Sequence, residues 1–202
     1  MKIAVLGASG RAGSEITAEL ARRGHQVLAV ARKPEAIAEA AGVTPVAGDA
    51  SDPEALSRII AGSDAVISAL HFDVSAATLL SALRKAGVPR LLVTGGAASL
   101  EVAPGKRVID SPDFPVAWKA IAQGGIMFLD DLRSEETIDW SFFSPAALIE
   151  EGPRTGHYRL GQDQLVTDEA GESRISFADY AIAMVDELEQ HRHSRARFTA
   201  AY

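Results

Sequence analysis

The chain has 202 residues, of which 47% are hydrophobic and 23% charged, which suits one α/β domain of an ordinary globular enzyme. Its formal net charge of −7 argues against a nucleic-acid partner, because binding to phosphates needs a clustered basic surface. The absence of cysteine excludes disulfides, thiolate nucleophiles and cysteine-ligated metals.

Apolar runs of strand length alternate with helical patterns from the first residues onward, which is typical of a parallel sheet with crossover helices. In chain order the sequence predicts strands over 3–6, 27–31, 43–47, 65–69, 91–93 and 140–143. Between them it predicts a helix through 12–20 that stops at Gly24, a short helix from 34 to near 42, and helices from 53 to 62, over 74–86 and from 116 to about 136.

Local residue chemistry refines three of these elements. Pro45 lies inside the third predicted strand and places it toward a sheet edge, because proline cannot donate to a ladder. Asp52 and Pro53 provide an N-cap and a first helical residue for the following helix. The pair Gly124-Gly125 is expected to interrupt or bend the helix from 116 to 136.

Two stretches depart from the alternation. Residues 97–115 read as a long loop punctuated by prolines, and such loops are usually functional or mobile. Residues 152–172 read as a small β-excursion, with strands over 157–160 and 164–167, followed by a helix behind the capping box Ser176-x-x-Asp179 and a last strand over 197–202. The sequence therefore predicts a single domain over residues 1–202, a Rossmann fold with a doubly wound, mostly parallel sheet and a small C-terminal β-excursion and helix.

The loop after the first strand, Gly7-Ala8-Ser9-Gly10-Arg11-Ala12-Gly13, has the composition of a phosphate-binding turn. Gly7 permits a tight turn, Gly10 lets the backbone approach a pyrophosphate, and Gly13 allows the helix to pack closely. The helix N-terminus then directs unpaired N–H groups at the phosphates. The alternative is a glycine-rich turn without a ligand, but the strand–loop–helix context favours a dinucleotide site.

The end of the second strand distinguishes between two dinucleotides. An acid about twenty residues beyond the loop would hold the ribose hydroxyls of NAD, yet no acid follows the second strand until Glu35. Arg32 offers a planar cation for a 2′-phosphate, and Ser9 and Arg11 lie within reach of the same group. The pattern favours NADP over NAD. The alternative is that Arg32 and Lys33 are a solvated basic pair.

With these residues in view, the chain resembles an atypical short-chain dehydrogenase/reductase of the NAD(P)H-binding group that includes NmrA-like and biliverdin-reductase-B-like proteins. The resemblance covers nearly the whole chain and is carried by four motifs, which are Lys2-Ile3-Ala4-Val5-Leu6-Gly7-Ala8-Ser9-Gly10, Gly48-Asp49-Ala50-Ser51-Asp52, Thr94-Gly95-Gly96-Ala97 and Ser144-Pro145-Ala146.

The resemblance implies further cofactor contacts, all at carboxyl ends of strands, where an open α/β sheet binds its ligands. It implies that Asp49 and Ala50 contact the adenine and that Ser68, Ala69 and Leu70 lie along the cofactor. The residues that it places at the nicotinamide are Thr94, Gly95, Gly96, Ser144, Pro145 and Ala146. For Asp49 the alternative is a turn-forming acid beside the true helix cap, Asp52.

One departure from the family concerns proton transfer. Short-chain dehydrogenases that reduce carbonyls generally use a Tyr-x-x-x-Lys pair, and none of the three tyrosines here is followed by lysine four positions later. Lys119 and His71 are the remaining catalytic candidates, Lys119 also as a ligand of the nicotinamide ribose, and Ser99 and Trp118 are candidates for lining the pocket. Each charged candidate has the alternative of a solvated surface residue.

Basic residues cluster near the C-terminus, as His191, Arg192, His193, Arg195 and Arg197. A solvated surface is the favoured interpretation over metal or anion binding, because the sequence places no third ligand. We therefore predict no metal site.

The resemblance, together with the missing Tyr–Lys pair, implies an NADP(H)-binding oxidoreductase that transfers hydride to a small conjugated acceptor, such as a flavin or quinone. The alternative is a non-enzymatic, NmrA-like sensor of NADP(H), and an epimerase or dehydratase is disfavoured by the short C-terminal portion and the missing tyrosine. The expected partner is a small molecule, with no nucleic acid and no membrane, for a monomer or homodimer in the cytoplasm. The N-terminal apolar run ends at Gly7, far short of a membrane span.

Overall fold

The computed structural model describes residues 1–202 and contains twelve strands and five α-helices. The strands are β1 (Lys2–Leu6), β2 (Gln26–Ala31), β3 (Val43–Ala47), β4 (Ala65–Ser68), β5 (Arg90–Thr94), β6 (Glu101–Ala103), β7 (Lys106–Arg107), β8 (Asp139–Ser144), β9 (Leu148–Glu150), β10 (Arg159–Gly161), β11 (Arg174–Ser176) and β12 (Ala196–Ala201). The helices are α1 (Arg11–Arg22), α2 (Pro53–Ile60), α3 (Ala76–Ala86), α4 (Lys119–Arg133) and α5 (Phe177–Gln190).

Eight strands form one central sheet in the order β3-β2-β1-β4-β5-β8-β12-β10. Every pairing is parallel except that of β10 with β12. The order reverses between β1 and β4, which makes their carboxyl ends the topological switch point where such sheets bind ligands. This is the doubly wound Rossmann fold that the sequence predicts, and β3 lies at the sheet edge as Pro45 indicates.

The helices cover both faces of the sheet, and β1 shows how the sequence divides them. Ile3 and Val5 pack with α1 and α5 in one buried cluster, whereas Ala4 and Leu6 pack with α2, α3 and α4 in the other. Alternate side chains of a strand point to opposite faces, so a continuous apolar run is what a sheet buried on both faces requires.

Three helices begin with a side-chain cap. The Asp52 carboxylate accepts hydrogen bonds from the N–H groups of Glu54 (2.9 Å) and Ala55 (3.1 Å) at α2. Ser75 caps α3, and the Ser176 hydroxyl accepts from the N–H of Asp179 (3.0 Å) at α5. Such caps stabilise a helix by about 1 kcal/mol each. Only half of the predicted capping box forms, because Asp179 accepts from the backbone of Thr155 and Gly156 instead of returning to Ser176.

The prediction for the helix from 116 to 136 is wrong in two respects. Residues Val116–Trp118 form a separate 3₁₀ turn, and α4 then runs without interruption through Gly124-Gly125. The two glycines make room for the Phe72 side chain, since a Cβ on Gly125 would lie 2.8 Å from its ring. Packing of Phe128, Leu129 and neighbouring residues into the core therefore outweighs the low helix propensity of glycine.

Two other local predictions also require correction. The helix expected from Pro34 to near Gly42 is only a 3₁₀ turn, Pro34–Ala36, because Ile37 alone in this stretch is buried and no apolar stripe stabilises a longer helix. The β-excursion is not a hairpin. Its strand β10 pairs with β12 instead, and Gln164 bridges to Glu101. This pairing covers an edge that β12 would otherwise expose.

The stretch over residues 97–115 is also more ordered than a plain loop. It contains the small antiparallel pair β6–β7 and a 3₁₀ turn at Val108–Asp110. A second small sheet pairs β9 with β11 in parallel, so that the chain segments on either side of the C-terminal excursion meet. No helix combines the length and the apolar character that crossing a membrane requires.

Candidate functional site

A cleft of about 630 Å³ opens at the carboxyl ends of β1, β4, β5 and β8, at the topological switch point of the sheet. Its walls come from the loops after these strands, from the segment over residues 108–122 and from the start of α5. The lining residues are Gly10, Arg11, Ala12, Ala69, Leu70, His71, Phe72, Thr94, Gly95, Gly96, Ala97, Ala98, Val108, Ser111, Asp113, Phe114, Pro115, Trp118, Ile121, Ala122, Pro145, Ala146, Ala147, Ile149, Phe177 and Tyr180.

The three glycines of the first loop occupy different environments. Gly7 has φ +77°, a left-handed conformation that favours glycine. A Cβ on Gly13 would overlap the carbonyl group of Gly7, so the start of α1 packs directly on the loop backbone. Gly10 has the extended angles φ −79° and ψ 168°, and a Cβ there would meet only the Gly7 oxygen, at 3.3 Å. Gly10 is the one of the three that borders the cleft.

The first turn of α1 presents backbone donors that no group in the protein satisfies. Gly10 is its N-cap and supplies no side-chain acceptor. The N–H groups of Arg11, Ala12 and Gly13 donate to no backbone or side-chain oxygen, whereas α2, α3 and α5 have their first turns capped. Open N–H groups with a helix dipole behind them bind anions. These residues therefore fit a dinucleotide pyrophosphate.

The residues proposed for the adenosine end lie beside this loop. Arg32 follows β2, is exposed and takes part in no ion pair. Ser9 is exposed as well, whereas Arg11 lines the cleft with its guanidinium carbon 5.2 Å from the centre of the Phe177 ring. Arg11 therefore contacts the cleft wall, and its reach to the same phosphate as Arg32 stays a prediction.

Asp49 combines two features. Its carboxylate accepts hydrogen bonds from the N–H (2.9 Å) and hydroxyl (2.8 Å) of Ser51, and Asp52 is the cap of α2, as in the turn-forming alternative. The backbone and hydroxyl donors of Ser51, followed by the charge of Arg32, lower the pKa of Asp49. Asp49 is exposed and Ala50 is buried, and neither lines the cleft. The adenine contact stays a prediction.

Most residues assigned to the nicotinamide side line the cleft, namely Ala69, Leu70, Thr94, Gly95, Gly96, Pro145 and Ala146. Gly95 lies against the ring of Phe142, where a Cβ would overlap the aromatic carbons, and its N–H donates to the Phe143 oxygen (2.8 Å). Ser68 and Ser144 are buried and lie behind this surface, and the Ser144 hydroxyl has no hydrogen-bond partner.

The catalytic and pocket candidates separate into two groups. His71 and Trp118 line the cleft, but Lys119 is exposed and does not. The residues of this segment that face the cleft are Trp118, Ile121 and Ala122, at helical spacings of three and four. Lys119 follows Trp118 in the chain, so its side chain is turned by about 100° around the helix axis. Ser99 also lies outside the lining, and its hydroxyl accepts a hydrogen bond from Arg197 (2.9 Å).

Sequence reasoning missed the wall formed by α5. Tyr180 stacks on Phe143 with ring centres 4.1 Å apart, and its hydroxyl donates to the Phe143 backbone oxygen (2.9 Å). Burial raises the pKa of Tyr180 well above its usual range, so the phenol stays neutral. Phe177 and Tyr180, spaced by three residues behind the cap Ser176, were the signal that this helix presents an aromatic face. Asp113 and Phe114 of the opposite wall gave no comparable pattern.

Two of the C-terminal basic residues, His191 and His193, lie in a network of charged groups at the opposite end of the sheet from the cleft. His193 Nδ1 lies 2.7 Å from a Glu187 oxygen, His191 pairs with Asp139, and Arg90 binds both acids. The predicted solvated surface is therefore partly a buried ionic network. No group of three or more histidine, aspartate or glutamate side chains is arranged to hold a metal ion.

The Rossmann sheet, the glycine loop with its open N–H groups and the cleft at the switch point together define an NAD(P)-binding protein. Residues 7–188 match the family described as NAD(P)H-binding. The chain belongs to this NAD(P)H-binding family.

Three solved structures are similar to the chain over its whole length. A candidate exported protein from Burkholderia pseudomallei is 47% identical with TM-score 0.91, each chain covered completely. A candidate epimerase from Bacteroides thetaiotaomicron is 42% identical with TM-score 0.93, covering 100% of this chain and 96% of that one. A candidate NADH-flavin reductase from Streptococcus pneumoniae is 35% identical with TM-score 0.84, covering 100% and 99%.

Proposed function

We propose that the protein is an NADP(H)-dependent oxidoreductase that transfers hydride to a small conjugated acceptor such as a flavin or quinone. The observation that carries this proposal is the apolar wall of the cleft opposite the glycine loop. Phe114, Trp118 and Ile121 line it, and Trp118 and Ile121 remain 59% and 44% exposed. Exposed aromatic and aliphatic side chains at a cofactor cleft suit a flat ring that binds by stacking and burial.

The chain's own residues would hold the cofactor in an extended pose. The open N–H groups of α1 bind the pyrophosphate, and the backbone around Gly95 and Ala146 flanks the nicotinamide. When bound, the nicotinamide supplies the hydride. Because the lining draws residues from Gly10 to Tyr180, residues 1–202 act as one functional unit in this proposal.

Arg32 supports NADP over NAD. Its exposed guanidinium follows β2 and forms no salt bridge, although its charge acts on the Asp49 carboxylate, so its N–H donors are available to a 2′-phosphate through charge-assisted hydrogen bonds. No acidic residue directly follows β2, where NAD-specific Rossmann proteins use one to bind the ribose hydroxyls.

The acceptor in this proposal needs little acid catalysis. The cleft lining contains no lysine and one tyrosine, Tyr180, whose hydroxyl donates its hydrogen bond to the backbone oxygen of Phe143. His71 and Asp113 are the other proton-exchanging side chains in the lining, and we assign the proton donor to His71 because it follows β4 beside the proposed nicotinamide site. A flavin or quinone accepts hydride at a ring that is already electron-poor.

Two measurements on the purified protein test this function. Calorimetry gives the affinity for NADPH and NADH, and NADPH oxidation is followed with FMN, riboflavin, a quinone and an aldehyde. We expect turnover with flavins or quinones and little with aldehydes, and a reduced rate for His71→Asn with FMN. Tight NADPH binding without turnover on any acceptor would instead favour a sensor of the NADP(H) redox state.

A further inference from the structure

We propose that the Arg11 guanidinium binds an anionic group on the acceptor, so that the preferred acceptor is a flat conjugated ring carrying a phosphate, such as FMN. This inference rests on the proposed function and names the substrate class for the same cleft. It is carried by the position, the packing and the lack of partners of one side chain.

Arg11 is held in the cleft wall by an aromatic ring. Its guanidinium carbon lies 5.2 Å from the centre of Phe177, a cation–π arrangement. Phe177 is 8% exposed and is the first residue of α5, directly behind the cap Ser176, so its ring is fixed. A cation–π contact uses no oxygen acceptor, so the edge N–H donors of the guanidinium stay available for a bidentate anion.

Those edge donors have no partner in the protein. Arg11 forms no ion pair, and its side chain donates no hydrogen bond. Arg23, at the other end of α1, is in contrast paired with Glu19 and Asp186. A guanidinium that is oriented by an aromatic ring and has no ion-pair partner within a cleft can bind an anion from outside the protein.

The anions of the cofactor have other ligands. The pyrophosphate fits the open N–H groups of α1, and the 2′-phosphate is assigned to Arg32, which lies outside the cleft lining. Arg11 is therefore available for a third anion, which the acceptor would bring. Asp113 in the opposite wall disfavours the reverse orientation, so the phosphate lies at Arg11 and the conjugated ring toward Trp118.

FMN and riboflavin test this assignment, because they share the redox ring and differ by one phosphate. Flavin fluorescence measures the binding of each to NADP⁺-loaded protein, and steady-state kinetics with NADPH give kcat/KM for each. The wild type should prefer FMN by about tenfold or more in both measurements. Arg11→Met should bring this ratio close to one. Phe177→Leu should lower it less, because the Arg11 charge remains and only the aromatic ring that orients it is lost.

A control variant and calorimetry with NADPH distinguish the possible negative results. Arg58→Met removes an exposed arginine of α2 outside the cleft and should leave the FMN-to-riboflavin ratio unchanged. Equal binding of the two flavins by the wild type, or a preserved ratio in Arg11→Met, overturns the inference. If Arg11→Met instead weakens NADPH by calorimetry and keeps the ratio, the guanidinium serves the cofactor. FMN preference in binding without turnover would support the anion site and count against the proposed reaction.

Discussion

The backbone oxygen of Ala69 lies 2.6 Å from the position that a Cβ atom on Gly7 would take. These residues directly follow the neighbouring strands β1 and β4, at the point where the chain order of the sheet reverses. A side chain at Gly7 would clash with the Ala69 carbonyl group and push the two strand ends apart. The first glycine of the loop is therefore required by the packing of the protein itself, whereas Gly10 has free space on its cleft side.

Gly125→Ala should destabilise the protein although alanine is the better helix former. The new methyl group would lie 2.8 Å from the Phe72 ring, which packs between α4 and the core. Overpacking of this kind costs about 1–3 kcal/mol and exceeds the gain in helix propensity. Urea unfolding measures the change, with Gln123→Ala on the exposed face of α4 as control. A Gly125→Ala protein more stable than the wild type would mean that the Phe72 ring moves freely.

Arg32→Ala should remove the preference for NADP. Loss of a charge-assisted contact to the 2′-phosphate costs about 1.5–3 kcal/mol, or one to two decades in NADP affinity, while NAD affinity changes little. Calorimetry with both cofactors measures the two constants. Lys33→Ala provides the comparison, because a neighbouring exposed point charge should matter less. Tighter binding of NAD than NADP by the wild type would contradict the assignment of Arg32.

Lys119→Met should change neither NADPH affinity nor turnover by more than about twofold. The structure places this lysine on the exposed side of α4, outside the cleft lining, so removal of its charge is screened by solvent. Methionine keeps most of the stem's bulk. A tenfold loss of kcat with unchanged NADPH affinity would show that α4 rearranges in the loaded protein and brings the lysine to the acceptor.

Glu135→Gln should weaken the fold most at neutral pH. Burial would raise the pKa of Glu135, but hydrogen bonds from the Thr137 hydroxyl and from the N–H groups of Ile138 and Thr137 lower it from 4.5 to about 2. Because the folded-state pKa is depressed, this stabilisation is complete above about pH 4.5 and is lost as the pH falls toward 2.

The size of this effect is about 1–3 kcal/mol at pH 7. Urea unfolding of the wild type and the variant at pH 7 and pH 3 measures it, and the gap between the two proteins should narrow at the lower pH. A gap that stays constant or widens on acidification would show that the carboxylate charge contributes nothing.

Local signals explain why the central fold was predictable. Strands were predicted at the positions of all seven parallel strands, and Pro45 indicated that β3 lies at the sheet edge. The pairing of β10 with β12 could not be predicted in this way, since it joins Arg159 to Ala201 through contacts distant in sequence. Short strands depend on such partners more than on their own composition.

The candidate site shows the same division. Gly7 and Gly13 are identifiable from sequence because the backbone leaves no room for a side chain at either position. The spacing of Phe177 and Tyr180 places both rings on one face of α5, but it does not show that this face borders the cleft, which depends on how α5 packs beside α1. The sequence could not show whether Lys119 or its neighbour Trp118 borders the cleft, because a shift of one residue along a helix turns a side chain by about 100°.

NADPH binding by Gly10→Val tests the central claim most directly, namely that the first loop of this protein is the cofactor's phosphate site. Gly10 has extended backbone angles and its nearest Cβ contact is 3.3 Å, so valine should fold there while its methyl groups occupy the space for the pyrophosphate. Glu15→Val, on the exposed side of α1, is the matched control. Calorimetry should show NADPH affinity reduced at least about tenfold in Gly10→Val, with unfolding midpoints close to the wild type, and unchanged affinity in Glu15→Val. A well-folded Gly10→Val protein that binds NADPH as tightly as the wild type would contradict the account.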